Sequence, residues 1–342
     1  MVKKRSYWQE RFELLLDAQF HKSETYLLDL EEQYKIAVDA IEKDIAVWYT
    51  RFAKNNEVSL AEAKQLLKGA ELAEFHWDVK KYIEYGEKNA LDGKWMKQLE
   101  NASARVHISR LESIKLQTQQ TIEELYGNQL EGVDRLMKEV YQGTYYHTAF
   151  EVQRGFNVGY SMQSINSKQL QQVISKPWTA DGATFSSNIW KAKDDLISAL
   201  HTELTQSMIR GDAPDKVIKT IAKKFKTSKD RAGRLVMTES AFFASAAQQD
   251  AYKELDVERY EIVATLDGKT SDLCGDLDGK VLKMSDYTVG STAPPFHPWC
   301  RTVTVPFFDD NYGERVARGK DGKVYYIDSK IKFPKWKERF IA

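Results

Sequence analysis

Apolar residues recur at helical spacing through the N-terminal part of the chain. From about residue 6 to residue 53 they lie three or four positions apart, and mostly Glu, Lys, Asp and Gln stand between them. This spacing puts the apolar side chains on one face of a helix and the charged side chains on the other. The pattern therefore predicts one or two long amphipathic helices. Their apolar positions are Trp8, Phe12, Leu15, Leu16, Leu30, Tyr34, Ala37, Ile41, Ile45, Trp48 and Phe52.

Shorter helices are predicted to follow. The run Ser-Leu-Ala-Glu at residues 59–62 has the composition of a capping box, and Gly69 is placed to close the helix after it. The stretch 72–86 is rich in aromatic residues, and residues 89–93 form a break. The next helix is predicted to end at Gly127. Its apolar face contains Ile108, Leu111, Ile114, Ile122 and Leu125.

The helical pattern continues from residue 129 to about residue 255, with one loop near residues 175–187. Pro214 marks a helix start, because the first turn of a helix does not need the N–H that proline lacks. The run Thr-Ser-Lys-Asp at residues 227–230 indicates a second capped start. Small residues in the last helix permit close packing against a neighbour. They are Ala241, Ala244, Ser245 and Ala247.

After Asp256 the period of the pattern changes from helical to two. Apolar residues alternate with others over residues 260–264, which predicts a strand. Residues 281–282 and 303–305 mark two more short strands, and residues 323–327 add another. A small sheet is the expected result.

These patterns predict a mainly α fold with a small C-terminal α+β module. Long N-terminal helices come first, then a helical domain, then a short antiparallel sheet. We expect four parts: an elongated helical region (1–127), a helical domain (128–256), a small β-rich module (257–310), and a C-terminal strand with a basic tail (311–342).

The charges of the chain balance. Its 342 residues include 50 Lys and Arg and 50 Asp and Glu, so no net field attracts nucleic acid or an anionic membrane, and any such contact must be local. No stretch approaches the roughly eighteen consecutive apolar residues of a membrane span. Two cysteines and the lack of an apolar N-terminal run indicate a reducing compartment.

Both cysteines lie in the stretch 265–309, together with a His-Pro-Trp-Cys run. Two hairpin-like pieces are expected there, so that Cys274, His297 and Cys300 meet. Their thiolates and imidazole are ligand types that zinc prefers, which makes zinc the one cofactor candidate; Asp272, Asp276 or water would supply a fourth ligand. Two alternatives stay open. The three residues are also consistent with simple packing, or with a Cys/His nucleophile, although no orienting group or oxyanion site is signalled.

A calcium loop fits this stretch poorly. Residues 276–279 match positions three to six of an EF-hand loop, but Cys274 and Ser285 then stand where carboxylates are needed. The pair Asp278 and Gly279 is better explained as a hairpin turn, because glycine tolerates a positive φ.

Two further groups of polar residues are candidates for function. Arg234, Thr238 and Glu239 lie within one predicted helix, and a buried polar contact between this helix and the sheet explains them better than catalysis. The C-terminal tail interleaves basic and aromatic residues, which suits contact with nucleic acid, although such a tail is more often solvated or docked on a partner. Its candidate lysines are Lys330, Lys332, Lys335 and Lys337.

The stretch 265–309 resembles the C-terminal signature of the phage head-morphogenesis proteins, the minor head proteins that include the F protein of phage Mu. That signature is an Asp-Gly-x-Thr-Ser-x-x-Cys run, an Asp-Gly turn and a Pro-Pro-x-His-Pro-x-Cys-Arg run. The matching residues are Asp267, Gly268, Thr270, Ser271, Cys274, Asp278, Gly279, Pro294, Pro295, His297, Pro298, Cys300 and Arg301. The Arg-x-x-x-Thr-Glu run that begins at Arg234 is also similar to the family. Some relatives carry cysteine where this chain has Ser271 and Thr302, and these departures argue against a closed zinc site.

The resemblance implies an internal, low-copy component of the phage or prophage head that acts in head assembly and in DNA packaging or ejection. The implied partner is the portal protein, with the scaffold protein, the major capsid protein and double-stranded DNA as further candidates, and no membrane. The implied location is the procapsid and virion head, with assembly in the host cytoplasm. We predict no enzymatic activity. The alternatives are a DNA-binding packaging accessory protein and an enzyme or toxin-related domain that uses the Cys/His cluster, but few residues follow Asp309 for a separate toxin.

Overall fold

A computed structural model describes residues 5–52, 60–156, 162, 164–179, 181–308, 314–318 and 324–328. Helix dominates these residues, so the predicted mainly α class is confirmed. The helices are α1 (Arg5–Phe52), α2 (Leu60–Ala63), α3 (Ala70–Lys88), α4 (Gly93–Ser103), α5 (Arg110–Phe156), α6 (Ser167–Ile174), α7 (Phe185–Arg210), α8 (Pro214–Glu254) and α9 (Asp272–Leu277). The strands are β1 (Arg259–Val263), β2 (Val281–Lys283), β3 (Val303–Pro306), β4 (Glu314–Arg318) and β5 (Val324–Asp328).

The N-terminal helix α1 is a single element of 48 residues. Its predicted apolar face is buried from Trp8 to Trp48, as the helical spacing requires. The side chain of Phe52 lies outside the described residues.

The predicted end of a helix at Gly127 is wrong, because α5 continues through this residue to Phe156. A Cβ atom at position 127 would lie 2.9 Å from Cδ2 of Leu91, so the glycine permits close packing of α5 against the residues between α3 and α4. Packing, and not a helix end, accounts for this glycine.

Helix α8 begins at Pro214, as predicted, but it does not restart at residues 227–230. The hydroxyl of Ser228 lies 2.5 Å from the hydroxyl of Tyr126 and 3.5 Å from that of Tyr34. The hydroxyl of Thr227 donates to the carbonyl of Lys223 one turn earlier, at 3.2 Å. Since these hydroxyls bond to groups other than a helix N-terminus, the helix runs on as one element.

The predicted break at residues 89–93 is confirmed, since α3 ends at Lys88 and α4 begins at Gly93. Asp92 caps α4 by accepting from the N–H of Lys94 at 3.0 Å. Helix α4 itself was not predicted. Gly69 does not close α2, which ends at Ala63; it has φ 52° and stands directly before α3. Ser59 of the predicted capping box lies outside the described residues.

The chain divides into two compact units, and α1, α5 and α8 each contribute residues to both. Unit 2 comprises Leu28–Gly132 and Phe185–Ala232. One of its apolar clusters consists of Leu67, Phe75, Val79, Trp95, Leu99, Ala102 and Ile108. Unit 2 also contains a buried ion cluster, in which Nζ of Lys193 lies 2.8 Å from Glu123 and 3.0 Å from Asp92. The four-part division of the sequence stays a prediction.

Unit 1 comprises the described parts of Met1–Leu27, Val133–Thr184 and Gly233–Ala342. Its sheet has the antiparallel order β2-β1-β3, which confirms the first three predicted strands. Four of the five residues of the central strand β1 are buried, so the chain there is covered on both faces. The strands β4 and β5 form a separate antiparallel pair. Strand β5 confirms the strand predicted at residues 323–327, whereas β4 was not predicted.

Helix α8 packs against the sheet through buried polar groups. The hydroxyl of Tyr252 donates to the carbonyl of Thr304 at 3.1 Å, and the hydroxyl of Thr304 donates to Gln248 at 3.0 Å. The hydroxyls of Ser245 and Tyr287 lie 2.9 Å apart. The small residues of α8 are buried, as predicted. None of the helices in the described residues has the length and apolar character that crossing a bilayer requires.

Candidate metal centre

The three predicted ligands meet in unit 1. Sγ of Cys274 lies 3.1 Å from Nε2 of His297 and 3.7 Å from Sγ of Cys300. The three potential ligand atoms all lie within 4.8 Å of one another. Both cysteines are buried and free, and His297 is half-buried. The structure therefore brings the three predicted residues together.

The elements that carry the cluster differ from the two hairpin-like pieces that were predicted. Cys274 lies in the short helix α9, and its N–H donates to the hydroxyl of Ser271, the N-cap residue, at 3.2 Å. His297 and Cys300 lie in an irregular segment that leads into β3. Between them Trp299 adopts φ 62°, a left-handed conformation that is uncommon for a residue with a bulky side chain. This turn allows the side chains of His297 and Cys300 to approach Cys274 together.

An ion pair fixes the loop that precedes α9. The guanidinium of Arg301 donates twice to the carboxylate of Asp267, at 2.5 and 2.7 Å. Burial opposes the ionisation of Asp267, but the bonds from Arg301 and from the N–H of Lys269 lower its pKa below the usual value. The hydroxyl of Thr265 donates to the carbonyl of Arg301 at 2.9 Å. The Asp-Gly-x-Thr run is thus joined to the residue that follows Cys300.

Asp278 and Gly279 connect α9 to β2, so the predicted hairpin turn between two strands is wrong. The carboxylate of Asp278 is buried and accepts from the N–H of Ala264 at 3.0 Å. Gly279 has the predicted positive φ, 71°, and its N–H donates to the carbonyl of Ile262 at 2.7 Å. These bonds attach the end of α9 to the central strand. The helix that intervenes between β1 and β2 could not be inferred from a period-two pattern.

The hydrogen bonds of His297 define its tautomer. Nδ1 lies 2.7 Å from the carbonyl oxygen of Pro298, which can only accept, so Nδ1 carries the proton. Nε2 then presents its lone pair toward the sulfur of Cys274 and toward the hydroxyl of Ser271, 2.9 Å away. Ser271 therefore belongs to the site. The sequence predicts Ser271 as a residue of the family signature and as the replacement of a cysteine that some relatives carry, but not as a neighbour of His297. Its position three residues before Cys274 is the available signal.

The two thiols differ in acidity. The hydrogen bond to Cys300, and then burial, raise the pKa of Cys274 far above its usual value. The same bond lowers the pKa of Cys300 against the opposing effect of burial, and the backbone N–H groups of Phe296 and Thr302 lower it further.

The other predicted polar group does not join the helix to the sheet. Arg234 is exposed, and the hydroxyl of Thr238 donates to the Arg234 carbonyl within α8, at 2.7 Å. Glu239 is buried and accepts from the indole N–H of Trp178, in the segment between α6 and α7, at 2.9 Å. Burial raises the pKa of Glu239 to about 7, and the bond from Trp178 only partly opposes this shift.

The residues that join α8 to the sheet lie elsewhere on the helix. The contacts between α8 and the sheet come from Gln248 and Tyr252, which lie several helical turns closer to β1 in the chain than Arg234. Trp178, the partner of Glu239, stacks on Phe242 with ring centroids 4.4 Å apart. The four lysines of the predicted nucleic-acid contact, Lys330, Lys332, Lys335 and Lys337, lie outside the described residues, and that contact stays a prediction.

A protein-family model matches part of this chain. The matching family is described as Phage Mu protein F like protein, and the match covers residues 198–305, about a third of the chain. It runs from the middle of α7 through α8 to β3 and contains the whole Cys/His cluster. The resemblance predicted from the sequence is confirmed for this segment. Searches of curated proteins and of solved structures returned no match.

Proposed function

We propose that this chain is a minor head protein that binds the portal protein of its phage during procapsid assembly and acts in DNA packaging or ejection. The observation that carries the proposal is the match of residues 198–305 to a family of structural phage head proteins. The same match supports a location in the virion head. An assembly role also suits long helices, which present side chains over an extended length of backbone.

Exposed aromatic residues are the best candidates for the portal-binding surface, since aromatic side chains are enriched at interfaces. Among the aromatic residues of the helices, five are candidates by residue type: Phe75, Trp77, Tyr145, Tyr146 and Trp190. Phe75 and Tyr145 are buried and Trp190 is half-buried, so these three side chains pack within their own units. Trp77 is 57% exposed and Tyr146 is 40% exposed, which leaves these two.

Tyr146 has an exposed aromatic neighbour on α5. Phe150 stands four residues later, on the same face of the helix, and is 55% exposed. The guanidinium of Arg154 lies 5.9 Å from the Phe150 ring, which adds a charge beside the apolar surface. Tyr146 accepts from the N–H of Ile165 at 2.9 Å and is held in place by this bond. We infer that Tyr146 and Phe150 contact the portal protein.

Co-expression with the portal protein of the same phage tests the proposal. Size-exclusion chromatography with light scattering should show a defined complex with few copies of this chain per portal ring. The double substitution Tyr146→Ala and Phe150→Ala should weaken that complex about tenfold or more, as expected for interface anchors. Leu28→Ala, which removes an exposed apolar side chain from α1, is the matched control.

The outcomes separate the two parts of the proposal. If the wild-type chain is folded and does not associate with an intact portal ring, the proposed function is wrong. If the wild-type complex forms and the double variant binds equally well, only the assignment of the α5 surface is wrong.

A further inference from the structure

We propose that Cys274, His297 and Cys300 bind one zinc ion, with water as the fourth ligand. This site goes beyond the proposed head function and does not depend on it. The three side chains come from two segments of unit 1 that are separated by more than twenty residues, so an ion would join α9 to the segment before β3.

The distances suit a zinc ion. Zinc lies about 2.3 Å from a thiolate and about 2.0 Å from an imidazole nitrogen. At tetrahedral angles, two thiolates around one ion are then about 3.8 Å apart, and a thiolate and an imidazole nitrogen about 3.5 Å. The observed separations are 3.7 Å between the two sulfurs and 3.1 Å between Cys274 and His297. A disulfide would require the two sulfurs to be about 2.0 Å apart. The observed 3.7 Å instead matches two thiolates that bind the same ion.

The histidine is oriented as a metal ligand. Its Nδ1–H donates to the backbone carbonyl of Pro298 at 2.7 Å, and the lone pair of Nε2 points to the thiol of Cys274. A ligand histidine in a metal site typically donates its second ring N–H to a carbonyl or carboxylate, because this fixes the tautomer and the ring orientation. A histidine that only packed in a turn would not need Nε2 directed at the sulfur of Cys274.

The fourth ligand is water. In the described residues no Asp or Glu oxygen belongs to the group formed by the three ligands, so neither Asp272 nor Asp276 is placed to complete it. The nearest additional polar group is the hydroxyl of Ser271, 2.9 Å from Nε2 of His297. A neutral serine hydroxyl is not among the ligands that zinc prefers. Position 271 is nevertheless close enough that a thiolate there would close the site.

Metal titration of the reduced, full-length chain tests the proposal. We expect one equivalent of Zn²⁺ to bind and to protect both thiols from alkylation. Co²⁺ should give the absorption bands of a tetrahedral site with thiolate ligands. His297→Gln should lower the affinity for Zn²⁺ by about 100-fold or more, since loss of an outer-shell partner alone costs about 10- to 100-fold. His21→Gln changes an exposed histidine of α1 and is the matched control.

A substitution that should strengthen zinc binding is also needed, because a variant that only loses binding could simply be misfolded. Ser271→Cys supplies a third thiolate at the N-cap of α9, and we expect it to raise the affinity for Zn²⁺ at least about tenfold and to intensify the thiolate–Co²⁺ bands. The proposal fails if the folded, reduced wild-type chain takes up no Zn²⁺ or Co²⁺. It also fails if His297→Gln binds as tightly as the wild type, or if the thiols form a disulfide that excludes the metal.

Discussion

At the scale of single residues, burial controls the chemistry of Glu239. Its side chain is 3% exposed, and the indole of Trp178 is the hydrogen-bond donor to its carboxyl group. One neutral donor does not replace the water that a carboxylate loses on burial. The pKa of Glu239 therefore rises from 4.5 to about 7 in the folded chain, and the folded state holds a proton that the unfolded state releases.

This difference makes stability depend on pH. Below about pH 4.5 both states are protonated and Glu239 contributes no pH dependence. As the pH rises from about 4.5 to about 7, only the unfolded state loses its proton, so the free energy of unfolding falls. At one pKa unit per 1.36 kcal/mol, the total loss is about 3 kcal/mol. Glu239→Gln keeps an acceptor for Trp178 and should remove this loss.

Urea unfolding of the wild type and of Glu239→Gln across this pH range measures the effect. We expect the variant to gain stability relative to the wild type as the pH rises, and the gain to level off above about pH 7. Glu258→Gln, which changes an exposed carboxylate, controls for the loss of a charge. A stability difference that stays constant with pH would show that Glu239 titrates normally.

At the scale of elements, α8 is one continuous helix, whereas the sequence predicts a second helix start at residues 227–230. A helix that started at Ser228 would have Lys229 at its first position, where proline is well tolerated. In the continuous helix Pro214–Glu254, Lys229 lies in the interior, where proline removes a backbone hydrogen bond and clashes with the preceding turn. We expect Lys229→Pro to lower the free energy of unfolding by about 3 kcal/mol or more.

The control for Lys229→Pro is Lys229→Ala. It also removes the partly exposed ion pair between Lys229 and Glu31, 2.9 Å, but it preserves the helix, so it should cost less than about 1 kcal/mol. Denaturant unfolding followed by circular dichroism gives both values. Equal stability of the two variants would mean that a new helix begins near residue 228.

Periodicity was a sound guide where burial alone shapes an element. Apolar spacing predicts the buried face of α1 and the strands β1 to β3. The missing N–H of proline predicts the start of α8 at Pro214. Sequence-based prediction failed where a residue type that commonly ends or starts a helix instead packs against a residue far away in the chain. Gly127 makes room for Leu91, and Ser228 bonds to Tyr126, so neither ends or starts a helix.

At the candidate site, too, residue types and short spacings could be used for prediction, whereas contacts between distant segments could not. Ligand chemistry and the His-x-x-Cys spacing identified Cys274, His297 and Cys300, which do come together. The bond from His297 to Pro298, and the place of Ser271 against the imidazole, depend on how the segments fold over each other. Such contacts between segments cannot be predicted from the spacing of residues in a single sequence.

At the scale of the whole molecule, charge limits how the chain can meet DNA. Basic and acidic residues are equal in number, so the net charge gives no general attraction to phosphate. Any duplex binding must come from a local group of cations. The C-terminal segment is the strongest candidate, because it carries Lys330, Lys332, Lys335 and Lys337 among aromatic residues.

Salt dependence tests this contact, because each phosphate that a protein neutralises releases counterions. Four phosphate contacts predict that log K falls with log salt at a slope of about −3.6 for duplex DNA. We expect the full chain to bind a duplex at low salt, and replacement of the four tail lysines by alanine to abolish most of this binding and to flatten the slope. The matched control removes the same charge from four exposed lysines of unit 2: Lys68, Lys80, Lys97 and Lys219. Equal loss in both variants would assign the effect to net charge. Unchanged binding in the tail variant would exclude the tail as the DNA contact and leave the proposed portal binding to account for the proposed role in packaging.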